Sequence, residues 1–437
     1  MAGPDRPGLL SAFGRAFRTP DLRRKLLFTG FIIAIYRLGA AVPAPGVDYA
    51  AIRNELERVS SSEVYSLINL FSGGALLQLS VFALGITPYI TSSIIMQLLV
   101  VVIPRLETLK KEGEAGNQKI TQYTRYLTVA LAVLQSTGIV ALARSGNLFQ
   151  GTTVEIIPDD SLVRIMTIVL TFTAGTAVIM WLGELITDRG IGNGMSILIF
   201  TSIAAALPSE GGNILRAAGG WVFTLVMLLG MAIVVAVIFI EQAQRRIPVQ
   251  YAKRMIGRRA YGGTSTYIPL KVNQAGVVPV IFASSLLYLP QLLSQIWQSN
   301  ETFTRFVEDY VNDQNNPFYL AFFFGLIVFF AYFYTAITFN PTEVADNMKK
   351  YGGFIPGIRP GRPTAEYLDY ILNRITLPGA LFLATISVLP FLALGLTKGV
   401  TFPFGGTAVL IMVGVGLETV KQIESQLMLR NYEGFLR

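Results

Sequence analysis

The chain of 437 residues contains neither cysteine nor histidine. The first absence excludes disulfides, thiol nucleophiles and sulfur-ligated metals; the second removes imidazole acid–base chemistry and the commonest metal ligand. No G-x-x-x-x-G-K-[ST] nucleotide loop occurs either, so no cofactor, metal site or catalytic centre is expected. Charge is scarce as well. Asp, Glu, Lys and Arg make up 14% of the chain, against about a quarter in soluble domains. What remains is apolar: 52% of residues are hydrophobic, mean hydropathy is +0.53, and runs near twenty apolar residues recur. Such runs are long enough to cross a bilayer.

Ten spans are predicted, at about 26–42, 80–102, 126–143, 162–186, 195–207, 221–240, 272–293, 318–339, 377–396 and 407–420. The first is read as a retained span, not a cleaved signal, because it is long and the topology works best with it. Lysine and arginine gather on the cytoplasmic side of membranes. With the N-terminus inside, 27 of the 35 basic residues fall on inner segments and 6 on outer ones. Ten spans with both termini cytoplasmic therefore follow, and losing one span would scramble the alternation.

Five spans per half is an odd number, so a duplication would be inverted. Helix breakers echo between the halves: Gly85-x-x-Pro88 in the second span and Gly276-x-x-Pro279 in the seventh. The short fifth span follows "GIGNG", and the tenth follows Gly405-Gly406. Broken backbone at membrane depth needs protein or a water-filled cavity around it, and matched breaks point to a central path. Beside these breakers stand Ile86, Ile90, Met195, Ile199, Ile281 and Ile411, none of them ionisable. An apolar collar excludes ions by dewetting and can part around a bulky object without binding it.

A secondary solute transporter with inverted repeats is the alternative, but it needs polar groups near the midplane. Glu184 lies close to an inner span end, and Arg37 is the deepest charge, placed to snorkel or pair near the outer rim. An intramembrane hydrolase using Ser92, Ser93, Ser196, Ser284 or Ser285 lacks a histidine or intramembrane lysine to activate it.

Residues 69–79, "NLFSGGALLQL", are predicted as a short separate helix hinged at Gly73-Gly74 and near Ser80. It is too short to span but can stopper an outer funnel, and the second span is expected to begin at Ser80 and bend at Gly85 and Pro88. The N-terminal arm, residues 1–25, carries Leu9, Leu10, Phe13 and Phe17 at helical spacing beside Arg15 and Arg18, the pattern of an amphipathic helix on an inner surface. Loops 241–271 and 340–376 place Arg258, Arg259, Arg359 and Arg362 far from the span ends. Such tips suit RNA phosphate, an acidic protein surface or anionic lipids.

The ordered stretches "NLFSGGAL", "ALGITPYI", "KKEGEAGNQKITQYTRY", "MWLGELITDRGIGNGMSI", "QRRIPVQYAKR", "PLKVNQAGVVPVIFASS", "FNPTEVADNMKK", "GIRPGRPT" and "FGGTAVLI" resemble the SecY family over essentially the whole chain. The resemblance implies an all-α polytopic membrane protein with ten transmembrane helices in two inverted halves around an hourglass pore. The halves are residues 26–207 and 208–420, followed by a cytoplasmic tail, 421–437. It implies a channel in the bacterial plasma membrane that passes unfolded preproteins and releases apolar segments sideways into lipid. The family's pore ring falls on the six residues beside the breakers, with Met195 where isoleucine is usual and a looser seal expected. Its plug falls on about 69–80, including Asn69, Leu70, Phe71, Ser72, Gly73, Gly74, Ala75, Leu76 and Leu77. Its lateral gate falls on Thr91 and Gln135, and its docking residues for SecA and the ribosome on Arg258, Arg259 and Arg359. SecE and SecG subunits, the SecA ATPase, the ribosome and preproteins with signal sequences are the implied partners.

Overall fold

The computed structural model describes residues 17–48, 52, 72–76, 78–144, 157–158, 161–251, 254–256, 259–261, 265–296, 301–307, 310–311, 316–396 and 406–434. Leu9, Leu10 and Phe13 of the predicted amphipathic arm lie outside the described residues. The helices are α1 (Pro20–Ala41), α2 (Thr87–Val102), α3 (Pro104–Lys111), α4 (Glu114–Arg144), α5 (Leu162–Arg189), α6 (Gly194–Gln242), α7 (Val278–Ile296), α8 (Glu301–Val307), α9 (Pro317–Thr338), α10 (Pro341–Lys350), α11 (Arg362–Leu396) and α12 (Gly406–Gly434). Their starts are written locally. Proline sits in the first turn of α1, α2, α3, α9 and α10, where its missing N–H costs nothing. Asn193, Asn316 and Asn340 cap α6, α9 and α10 with side-chain oxygens.

Each predicted span overlaps a helix, with differences that matter. Residues 81–86 are turns and α2 begins at Thr87, not Ser80. Gly85 has a φ of 55° and Gly276 one of 61°, in the left-handed region, and Pro88 and Pro279 each occupy the second position of a helix. Both Gly-x-x-Pro echoes therefore start a helix, the first where a bend within the second span is expected, because proline fits a first turn and breaks an interior one. The fifth and sixth spans are two helices that follow one another within α6 and part at a kink at Gly219 (φ 80°, ψ 171°). At Ile103 the chain turns by 98° between α2 and α3.

Among the described residues, Leu162–Arg189, Gly219–Gln242, Pro317–Lys350 and Arg362–Leu389 are long and apolar enough to cross a membrane. The bent α2–α3 pair makes a fifth, and Gly194–Pro208 and Val278–Leu287 are shorter apolar helices. The order of neighbours repeats along the chain: α2 packs on α4, α4 on α5 and α5 on α6, as α7 packs on α9, α9 on α11 and α11 on α12. The two sets meet where α6 lies against α12 and where α7 touches α2 and α4.

The long basic segments are folded. Strands β1 (Gln244–Tyr251), β4 (Ser265–Lys271) and β5 (Gly353–Phe354) form one antiparallel sheet in the order β4-β1-β5, and β2 (Arg254–Ile256) pairs with β3 (Arg259–Tyr261) beyond it. Ile247 and Val249, two apart on β1, point to one face. They form an apolar cluster with Leu270, Met348, Ile355, Leu368 and Ile371. Two loops roughly a hundred residues apart thus share one small core.

Candidate functional site

The six predicted collar residues come from separate elements: Ile86 from the turn before α2, Ile90 from α2, Met195 and Ile199 from the first turns of α6, Ile281 from α7 and Ile411 from α12. Ile86, Met195, Ile199 and Ile411 are buried in one cluster with Ile32, Tyr36 and Phe82, and Ile90 and Ile281 pack against it. Ile90, Ile281 and Val277 also pack against the cluster of α7, α9 and α11 that contains Phe282, Phe330 and Leu383. The six positions therefore converge where the two helix sets meet.

Close contacts set the first turn of α6. Gly194 N–H donates to the Thr187 hydroxyl at 2.9 Å, which itself donates to the Gly183 carbonyl at 3.0 Å. A Cβ on Gly194 would overlap that carbonyl, and one on Gly183 would stand 2.5 Å from Met195 Sδ. Met195 thus fits because Gly183 leaves a notch for its sulfur. The glycine in "WLGELIT" could have signalled this contact. Thr29 of α1 closes the preceding turn by accepting from Ile191 N–H at 3.3 Å.

The predicted hinge at Gly73-Gly74 is a turn, and the described residues after it are turns where a helix is expected. Asn69, Leu70, Phe71 and Leu77 lie outside the described residues. Among the described residues of this stretch, Ser72 is helical, and 73–76 with 78–79 form turns. Gly73, Gly74 and Leu79 have positive φ values of 64°, 91° and 43°, which a helix cannot contain. The Ser72 hydroxyl accepts from Leu76 N–H at 3.1 Å, and Ser72, Ala75, Leu76 and Leu79 are buried.

Thr91 on α2 and Gln135 on α4 are both buried on helices that pack together. The Thr91 hydroxyl donates to the Thr87 carbonyl at 3.0 Å, while the Gln135 amide nitrogen is buried without a partner among the described residues. Glu184 receives both Nε and Nη2 of Arg125, at 2.8 and 2.9 Å. Arg359 is exposed, Arg259 lies in β3, and Arg258 lies outside the described residues. One joint was not legible in the sequence. The buried Asn273 side chain donates to Glu241 Oε2 at 2.9 Å and to the Gly276 carbonyl at 3.0 Å, tying the end of α6 to the approach to α7.

The SecY family profile matches residues 80–420. The chain belongs to the SecY family. Its SecY relatives include the protein translocase subunit SecY of Streptomyces scabiei, 64% identical over 440 residues, covering 98% of this chain and 100% of the relative. That of Mycobacterium tuberculosis is 62% identical over 441 residues, with the same coverage. The fold is similar to a solved protein-conducting channel, with a TM-score of 0.63 and 17% identity over 92% of each chain. It is also similar to Sec61 in the canine ribosome–channel complex from the endoplasmic reticulum, with a TM-score of 0.59 and 15% identity over 92% of each chain. The SecY fold is thus present in a mostly helical, multi-pass membrane chain.

Proposed function

We propose that this chain is the channel-forming subunit of a bacterial protein translocase, and not itself an enzyme. The observation that carries the reading is the convergence of six aliphatic and thioether side chains from four helical regions at the junction of two helix sets. In the shut state these side chains form the ring of an hourglass pore between two inverted halves, and water and ions are excluded because no polar group offsets their dehydration. Residues 69–80 form the plug on the outer side. An unfolded preprotein passes through the ring, whose side chains yield without binding it.

The lateral exit lies where α7 touches α2 and α4, beside Thr91 and Gln135. An apolar signal gains about 0.3 to 0.6 kcal/mol for each Leu, Ile, Phe or Val placed at the bilayer centre. About ten such residues supply several kcal/mol, enough to bias a channel balanced between shut and open. Energy for passage comes from partners: SecA or a ribosome docking on Arg258, Arg259 and Arg359, with SecE and SecG completing the assembly in the plasma membrane and both termini cytoplasmic. Because β1 and β5 join the two loops in one sheet, a partner there presses on a single body, not two independent tips.

A solute transporter is disfavoured because Glu184, close to an inner span end, is already held bidentately by Arg125. The deciding experiment is reconstitution of the full chain, with the small subunits that co-purify, into liposomes supplied with SecA and ATP. Protease-protected preprotein inside the vesicles is the expected result. Saturable uptake of a small solute with no protected preprotein would overturn the reading.

A further inference from the structure

We infer that Arg37 is the residue that positions the plug segment, by clasping the Gly73 carbonyl; this rests on reading 69–80 as a movable plug. Arg37 stands four residues before the end of α1. A snorkelling arginine would carry its head into the interface, but here Nη1 donates inward to the Gly73 carbonyl at 3.0 Å. Among the described residues, the partner of this guanidinium is the Gly73 carbonyl.

The approach depends on glycine. Gly73 has a φ of 64°, and a Cβ there would stand 2.9 Å from Arg37 Nη1 and 3.1 Å from Ser202 Cα. Behind it, Tyr36 and Ser202 share a hydroxyl–hydroxyl bond of 2.6 Å, which locks α1 to α6 at this level. The wall that receives Gly73 is therefore rigid and built from two helices.

The other end of the segment is held differently. Ala44 N–H donates to the Leu79 carbonyl at 3.0 Å and Val81 N–H to the Val42 carbonyl at 2.9 Å, with Pro43 and Ser80 paired in a bridge. These are neutral backbone bonds at a base. Among the described residues, the segment thus has a base held at 79–81 and a charge-assisted clasp at Gly73, and swinging out about the base breaks the clasp.

The test uses the full chain with its co-purifying subunits in planar bilayers. A hydrogen bond to a charged group corresponds to about a ten- to hundredfold change in an equilibrium. Arg37→Met should therefore raise the conductance of the resting channel by about that factor, and Arg37→Gln by less. A Cβ at position 73 would stand 2.9 Å from Arg37 Nη1, so Gly73→Ala should displace the guanidinium and raise the resting conductance as well. Joined to Arg37→Met it should add less than it does in the parent chain, since the clasp is already gone. A resting conductance unchanged by Arg37→Met overturns the inference. So does full additivity of the two changes, because Arg37 would then act on the ring or the scaffold. If deleting residues 72–76 leaves the resting conductance unchanged, the plug reading itself falls and the clasp with it.

Discussion

Ile411→Asn tests the ring most directly. Ile411 is fully buried on α12, in the same cluster as Ile86, Met195 and Ile199. The nearby hydroxyl in that cluster, on Tyr36, is already bonded to Ser202. An amide placed here has no ready partner in the shut state, and each unsatisfied buried group costs about 1–3 kcal/mol. In the open, wetted state water supplies the missing bonds. The penalty therefore falls on one side of the equilibrium and should shift it toward open by about 5- to 150-fold. The assay is ion flux from proteoliposomes at matched protein content, with Ile411→Leu as a volume-conserving control that should stay near the parent value. If Ile411→Asn inserts normally and leaks no more than the parent protein, the ring is not the barrier and the reasoning fails.

Three further outcomes are expected. Gly183→Ala should destabilise the chain by about 1–3 kcal/mol through overpacking against Met195, and Met195→Val, which lacks the sulfur that collides, should recover most of it. Strict additivity of the two changes in detergent melting curves would count against the notch. Asn273→Ala should cost about 1–3 kcal/mol, because Glu241 and the Gly276 carbonyl lose a buried donor; an unchanged melting temperature would contradict the joint. Arg258→Glu combined with Arg359→Glu should weaken SecA or ribosome binding, most visibly at low salt, and parent affinity in a sedimentation assay would remove these residues from the docking surface.

The sequence by itself determined the solvent of this protein and the chemistry available to it. Twenty-residue apolar runs with basic loops on one side mark spans because a bilayer offers no partner for charge or bare backbone, a rule that acts locally. The apolar character of positions 86, 90, 195, 199, 281 and 411 is likewise plain from the residues. Tertiary structure alone decided whether these positions meet, since proximity between residues 86 and 411 is set by how helices pack. It also made helix starts of the Gly-x-x-Pro echoes, where a bend in the second span is expected from the sequence, and turns of 73–76 and 78–79, because positive φ values at Gly73, Gly74 and Leu79 are consequences of packing. The same holds for the Gly183 notch, the Asn273 joint and the Arg37 clasp. Each depends on two segments distant in the chain coming within hydrogen-bond or van der Waals reach, and residue order carries no direct record of that distance.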